Sequence, residues 1–396
     1  MSSGLLRERR ADQPARVTFV ELFFDLVFVI AITQISHGLL DHLDWAGALR
    51  AAMLLLTIWW AWIDTAWITN WLDPQRPAVR VMLFVLMGIG LVISSSLPEA
   101  FGERGLVFAT AFVAFQLSRT AFMLWAVRRD ASLSRNFVRI GIWYCVSAVF
   151  WLLGGLAEGD LRLWLWLVAV VLDAAAAMVN FWVPGMGRSE TREWTIDGGL
   201  MAERTGLFII IALGESILVT GRTFMDLEWT PVLTLAMTVS LLQSIAMWWI
   251  FFGQHAGAAA EAIARSKDPG RVARFAYTYV PILLAAGIVV SAVGDELVLS
   301  HPEGHIETPT ALVIVGGPAL FLIGAVLFKR GVFKYWSVPR LCGLAVILAL
   351  YPLAGSLSPL LLSAATTVVM LAVAAWEAVD IARHPERIAN VRDSGE

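Results

Sequence analysis

Long apolar runs, each about one bilayer crossing in length, recur along the whole chain and are parted by short polar stretches. A hydrocarbon core about 30 Å thick takes roughly 20 apolar residues in a helix. By that ruler the pattern predicts twelve spans, at about 18–40, 46–71, 79–97, 105–127, 138–157, 161–183, 203–224, 230–252, 275–297, 309–328, 338–353 and 358–380. The eleventh is short and carries Pro352. The first run is too long for a signal-peptide core of roughly 7–15 residues and reads as an uncleaved span. The expected fold is therefore all-α, a polytopic transmembrane helical bundle. Its expected organisation is a tail at 1–17, a six-helix half at 18–183, a connector at 184–202, a second six-helix half at 203–380 and a tail at 381–396.

Composition sharpens this picture. The 396 residues are 58% hydrophobic and only 15% charged, against about 45–50% and about 25% in soluble domains. The lipid bilayer is the expected surrounding, and 18 tryptophans suit a chain with two long membrane–water interfaces. A net charge of −3 excludes a nucleic-acid partner recruited by bulk charge. Two cysteines exclude a disulfide framework. Charge placement orients the bundle. With a cytoplasmic N-terminus, 23 of the 29 basic residues fall on inner segments, Arg7, Arg9, Arg10 and Arg16 among them. The outer ends keep Arg50, Arg104, Arg162 and Arg222. The positive-inside rule then places both termini in the cytoplasm of a cell (inner or plasma) membrane. The outer loops read as acidic, with Asp41, Asp44, Glu99, Glu103, Glu158, Asp160, Asp295 and Glu296.

Two halves echo one another. E-L-F-F-D-L-V-F-V at Glu21–Val29 matches I-A-L-G-E-S-I-L-V at Ile211–Val219, and W-W-A-W-I-D at Trp59–Asp64 matches W-W-I-F-F-G at Trp248–Gly253. Six spans per half is an even number, so such repeats would be parallel, related by an axis along the membrane normal.

Ionisable residues inside spans cost at least about 2.5–3.5 kcal/mol on insertion scales, so each needs a reason. Asp25, Asp64, Asp173, Glu215 and Arg119 fall within roughly 10–15 Å of the inner face at 1.5 Å per residue, and Gln116, Asn180 and Gln243 join them. Glu21 lies one helical turn before Asp25, where like charges repel, so one of the pair holds a proton or meets a cation. Glu21, Asp25, Asp64, Asp173 and Glu215 are candidate ion, proton or substrate-binding groups, with Arg119, Glu203 and Arg204 as counter-charges. The competing reading is that acid–arginine pairs lock helix packing. Glu377, near an inner end, reads as a solvated surface residue. Other chemistry is sparse. His301, Glu303, His305 and Glu307 share an outer loop that reads as solvated, and no H-E-x-x-H, Walker loop, G-x-S-x-G or Rossmann motif occurs. No metal or cofactor is expected. Cys145 and Cys342 read as packing residues, and the glycine pairs 154–155, 198–199 and 316–317 as points of close helix contact or loop turns.

The motifs V-T-F-V-E-L-F-F-D-L-V-F-V-I-A-I-T-Q (Val17–Gln34), W-W-A-W-I-D, E-R-T-G-L-F-I-I-I-A-L-G-E-S-I (Glu203–Ile217) and W-W-I-F-F resemble the bacterial low temperature requirement A (LtrA) family across essentially the whole chain. The resemblance implies an integral membrane protein, with a family name taken from a cold-growth phenotype and no substrate. Its motif positions here are Glu21, Phe24, Asp25, Asp64, Glu203, Arg204, Gly214 and Glu215. Gly253 stands where many relatives would carry an acid, leaving Asp64 without a counterpart in the second half. The functional expectation is a proton- or cation-coupled secondary transporter or ion-conducting protein acting on an unknown small solute or ion, and an oligomer is compatible with it. The alternatives are a non-catalytic structural or stress-adaptation membrane protein and, third, a membrane-embedded lipid-acting enzyme.

Overall fold

The computed structural model describes residues 4–7, 16–189, 197–253 and 269–383. Arg9, Arg10, Arg192, Arg265, Lys267, Arg387 and Arg392, which belong to the inner basic set, lie outside the described residues. Among the described residues, twelve helical segments are long and apolar enough to cross a membrane. They are α1 (Phe19–Asp41), α2 (Trp45–Trp71), α3 (Pro77–Ser96), α4 (Gly105–Val127), α5 (Ala131–Leu156), α6 (Gly159–Met178), α7 (Gly198–Asp226), α8 (Pro231–Phe252), α9 (Pro281–Ser300), α10 (Thr308–Phe333), α11 (Val338–Leu350) and α12 (Pro359–Arg383). A helix is the one open-chain form that pairs all its backbone groups internally in hydrocarbon. Buried hydroxyls follow the same rule: Thr57, Thr65 and Thr120 each donate to the carbonyl four residues back, at 2.8 Å.

Helix starts are written locally. Asp130 accepts from Ser132 N and Leu133 N at the head of α5, and Thr230 Oγ1 accepts from Leu233 N ahead of Pro231 at the head of α8. The eleventh span completes its length by passing from α11 into a 3-10 segment, Tyr351–Ser356, with Pro352 in its first turn, where a missing N–H does no harm. The ninth span, Val272–Ser300, carries a π-turn at Phe275–Tyr279 ahead of α9.

Three boundaries differ from the sequence expectation. The sixth span stops at Met178. Asn180 and Phe181 then turn left-handed (φ 55° and 50°), and Ser189 N donates to Asn180 O at 2.9 Å. Asn180 is thus a turn residue outside the span, as suits a side chain that tolerates this conformation. Asp295 and Glu296 belong to α9 and not to an outer loop. The seventh helix starts at Gly198, five residues early, which leaves Glu215 near the middle of α7.

The chain divides into two compact units, Met1–Ile35 with Leu49–Met201, and Ser36–Ala48 with Ala202–Glu396. In the first, α4 packs on α3 and α5, and α5 on α6. An aromatic knot holds them: Phe112 and Trp151 ring centroids lie 4.8 Å apart, Phe108 and Trp166 5.2 Å, Trp151 and Trp166 5.6 Å. Gly154 admits the indole, since a Cβ there would fall 2.3 Å from Trp166 Cδ1. Arg162, expected at an exposed outer end, is buried instead. It donates to Gly154 O (3.2 Å), Ala157 O (2.9 Å) and Ala100 O (3.2 Å), closing orphan carbonyls at the end of α5.

In the second unit α9 and α10 lie along one another. Gly287 and Gly317 set their approach: a Cβ on Gly287 would fall 2.5 Å from Phe321 N, and one on Gly317 2.7 Å from Ser291 N. Small residues that let backbones close up are the usual contact of membrane helices. The neighbouring Gly316 has nothing within 4 Å, so only one of that pair serves as a contact. Gly287→Ala is expected to lower stability by about 1–3 kcal/mol, because the obstacle is backbone that cannot swing aside. Gly316→Ala is expected to be neutral or mildly stabilising, and thermal unfolding of the two purified variants separates them. Cys145 and Cys342 are exposed on the helix surfaces rather than packed inside. Cys145 lines an apolar groove of α4 and α5 residues that also holds Leu117, Thr120 and Val149.

Candidate functional site

The acids of the first unit meet their partners one by one. Glu21 is fully buried and held by the N-terminal segment: Arg7 Nη2 lies 3.0 Å from Oε1 and 3.1 Å from Oε2, and Thr18 N and Oγ1 both reach Oε2 at 2.9 Å. Arg7 Nε also donates to Thr69 O (2.9 Å) and Leu72 O (3.0 Å) at the end of α2. The repulsion expected between Glu21 and Asp25 is answered on Glu21's side by this guanidinium. Asp25, also 0% exposed, accepts from Trp62 Nε1 of α2 at 2.8 Å.

Asp64 and Asp173 are served by the same two helices. Arg119 of α4 gives Nη2 to Asp64 Oδ2 at 3.1 Å and Nη1 to Ala61 O at 3.0 Å and Thr65 Oγ1 at 3.3 Å. Tyr144 of α5 donates its hydroxyl to the same Asp64 oxygen. The guanidinium carbon stands 5.6 Å from the Phe115 ring centre and 5.7 Å from that of Tyr144, where a desolvated cation gains from the ring faces. One turn back on α4, Gln116 Nε2 approaches Asp173 Oδ2 at 3.5 Å, and two turns on along α5, Trp151 Nε1 donates to that oxygen at 3.1 Å. Spacings of three on α4 and seven on α5 put these donors on single helix faces.

The two carboxyls differ in charge balance. Asp64 has an ion pair with an arginine. Asp173 is 6% exposed, its other oxygen Oδ1 accepts no hydrogen bond, and no cation among the described residues pairs with it. The hydroxyl of Ser147, a further neutral group beside this carboxyl, also lies 3.3 Å from Tyr144 O. An ionised carboxylate so placed is costly without a counter-charge. Asp173 is therefore a buried carboxyl whose described partners are neutral donors on one oxygen.

Counted along the helices, Asp25 lies six residues from the start of α1, Asp64 seven from the end of α2, Arg119 eight from the end of α4 and Asp173 five from the end of α6. That is one level, roughly 8–12 Å from the helix ends. In the second unit Glu215 is buried and Glu203 is exposed, while Arg204 is fully buried. Adjacent residues on a helix diverge by about 100°, and this pair obeys that geometry.

The sequence reading missed Tyr144 and Trp151, and gave Trp62 only as part of the W-W-A-W-I-D motif. Their signal was present: a buried tyrosine hydroxyl or indole N–H needs an acceptor, and α5 repeats such groups at helical spacing. It also misplaced Glu377, which is 5% exposed rather than solvated. Its Oε1 receives Lys329 Nζ (2.8 Å), Arg340 Nε (2.8 Å) and Ser337 Oγ (2.7 Å), and its Oε2 receives Arg340 Nη2 (3.0 Å). Arg340 further caps Ile250 O of α8 (2.8 Å) and Ala325 O of α10 (2.6 Å). Residue 377 looked terminal because the apolar window ends nearby, yet α12 runs on to Arg383. The loop with His301, Glu303, His305 and Glu307 leaves those four side chains exposed, and no three of His, Cys, Asp or Glu gather for a metal among the described residues.

Against known proteins, the family model described as "Bacterial low temperature requirement A protein (LtrA)" matches residues 16–375. An uncharacterized protein of Rhizobium meliloti (strain 1021) is 39% identical over 386 residues, 97% of this chain and 94% of that one. No solved structure matches the chain.

Proposed function

The chain belongs to the bacterial low temperature requirement A family of integral membrane proteins, and from that premise we propose that it is a proton- or cation-coupled secondary transporter or ion-conducting protein of the bacterial cell membrane, with both termini cytoplasmic. Asp173 is the exchanging group. The observation that carries this reading is its buried carboxyl, held on one oxygen by neutral donors and lacking a described cation. Asp64, Arg119 and Tyr144 position the α4–α5 face from which those donors come. Asp25 and Glu215 are the matching acids of two parallel six-helix repeats, 18–183 and 203–380, joined by the connector 184–202. A role in growth at low temperature enters through the family name alone.

The test is flux in proteoliposomes under imposed proton or cation gradients. Asp173→Asn keeps the shape and both donors' targets while removing the exchangeable charge. It is expected to reduce gradient-driven flux at least about tenfold with unchanged thermal stability. Wild-type protein without flux, or a variant with full flux, overturns the proposal. Asp25→Asn combined with Glu215→Gln asks the same question of the paired acids.

A second reading is a non-catalytic structural membrane protein of cold or stress adaptation. What favours it is that Glu21, Asp25 and Asp64 each meet a partner of their own. Under it, neutralising these acids changes yield and stability and leaves no flux to lose.

A further inference from the structure

Asp295 has no role in the proposed transport reaction. It lies on α9, five residues before the helix ends at Ser300, and is 2% exposed. No cation among the described residues pairs with it. Ser240 of α8 stands beside it, also 2% exposed, with a hydroxyl that completes no hydrogen bond of good geometry. One turn further along α8, Gln243 Oε1 accepts from Thr367 Oγ1 of α12 (3.2 Å), with Thr366 Oγ1, which donates to Ser363 O at 2.9 Å, 3.5 Å away. Helices α8, α9 and α12 pack on one another within the second unit. Ser240 is nine residues from the start of α8, Asp295 five from the end of α9 and Thr366 seven from the start of α12. At 1.5 Å per residue these depths agree, roughly 8–14 Å from helix ends that share a side. The Ser291 hydroxyl, also without a hydrogen bond, lies over Gly317 of α10.

We propose that Asp295 and Ser240, backed by Gln243, Thr366 and Thr367, form a binding site for a small hard monovalent cation of the sodium class. The donors are oxygens throughout, the set that suits hard cations and not softer metals. A single carboxylate and a monovalent cation sum to zero charge, which a low-dielectric interior tolerates, whereas a divalent ion would leave a net positive charge buried. The contrast with Asp64 supports this: there the protein supplies its own cation, Arg119, and here it supplies a hydroxyl. The site stands on the second unit alone and does not depend on Asp173.

The experiment is thermal unfolding of purified full-length protein by tryptophan fluorescence, in sodium, potassium or choline chloride at equal ionic strength and across a range of pH. Sodium is expected to raise the wild-type midpoint by about 5 °C or more over choline at saturation. Asp295→Asn is expected to abolish that shift. Ser240→Ala is expected to move its half-saturating sodium concentration about tenfold upward, which decides the matter if Asp295→Asn does not fold. Asp173→Asn is expected to keep the shift. The proposal is overturned by a wild-type midpoint indifferent to cation identity, by an equal sodium shift in Asp295→Asn, or by loss of the shift in Asp173→Asn. A midpoint that responds to pH but not to sodium assigns Asp295 to a proton alone and overturns it too.

Discussion

Glu377→Ala is expected to be the most damaging single substitution in the second unit. The carboxylate is the common acceptor for Lys329, Arg340 and Ser337, all buried. Removing it strands two cations in a low-dielectric interior, and breaking a buried ion pair from one side costs about 3–5 kcal/mol. The loss spreads, because Arg340 also closes Ile250 O of α8 and Ala325 O of α10. A guanidinium freed from its anchor gives up those carbonyls as well. Monodisperse yield after detergent extraction and the unfolding midpoint should both fall sharply. Pairing Glu377→Gln with Lys329→Met is expected to cost less than the two separate losses added together, since the double variant leaves fewer unpaired charges. Additive losses in that cycle would mean that Glu377 and Lys329 act independently, against the 2.8 Å contact between them.

Arg119→Leu is expected to have the second-largest effect, and in the first unit. This arginine is fully buried and joins α4 to α2 by three hydrogen bonds, to Asp64, Ala61 O and Thr65. Its loss leaves Asp64 with Tyr144 alone and opens a cavity against Phe115, for about 3–5 kcal/mol in all. Arg119→Lys keeps the charge but not the fork, and one ammonium cannot reach three acceptors in different directions. It should recover part of the stability. Tyr144→Phe removes one donor to Asp64 and is expected to cost about 1–2 kcal/mol. Thermal unfolding should place Arg119→Leu lowest of the three variants, with Arg119→Lys between it and wild type. An Arg119→Leu variant as stable as wild type would show that the Asp64 contact is slack.

The spans could be read so closely from the sequence because crossing a bilayer is a local demand. Each helix must hide its own backbone polarity, and about 20 apolar residues do that whatever lies beside them. The errors came at the ends. Asp295, Arg162 and Glu377 sit within three residues of the end of an apolar window, where a residue reads as exposed. A neighbouring helix can bury such residues, however, and the ends of a window do not show it. Asn180 erred in the opposite direction, counted into a span that ends at Met178.

The candidate site was half legible. Buried ionisable groups announce themselves by their cost, so Glu21, Asp25, Asp64, Arg119 and Asp173 could be named without a structure. Their pairing could not. Arg7 meeting Glu21 depends on a chain segment folding back on the end of α2, and Trp62 meeting Asp25 depends on the rotation of two helices about their axes.

By itself the sequence determined that this is a twelve-span helical membrane protein of one family, because hydrophobic length and a contiguous motif are properties of neighbouring residues. Only the tertiary structure decided which carboxyl is neutralised by an arginine, as Asp64 is, and which is left to neutral donors, as Asp173 and Asp295 are. Charge compensation acts over a few ångströms in space, between residues tens of positions apart along the chain, and no linear pattern encodes that distance.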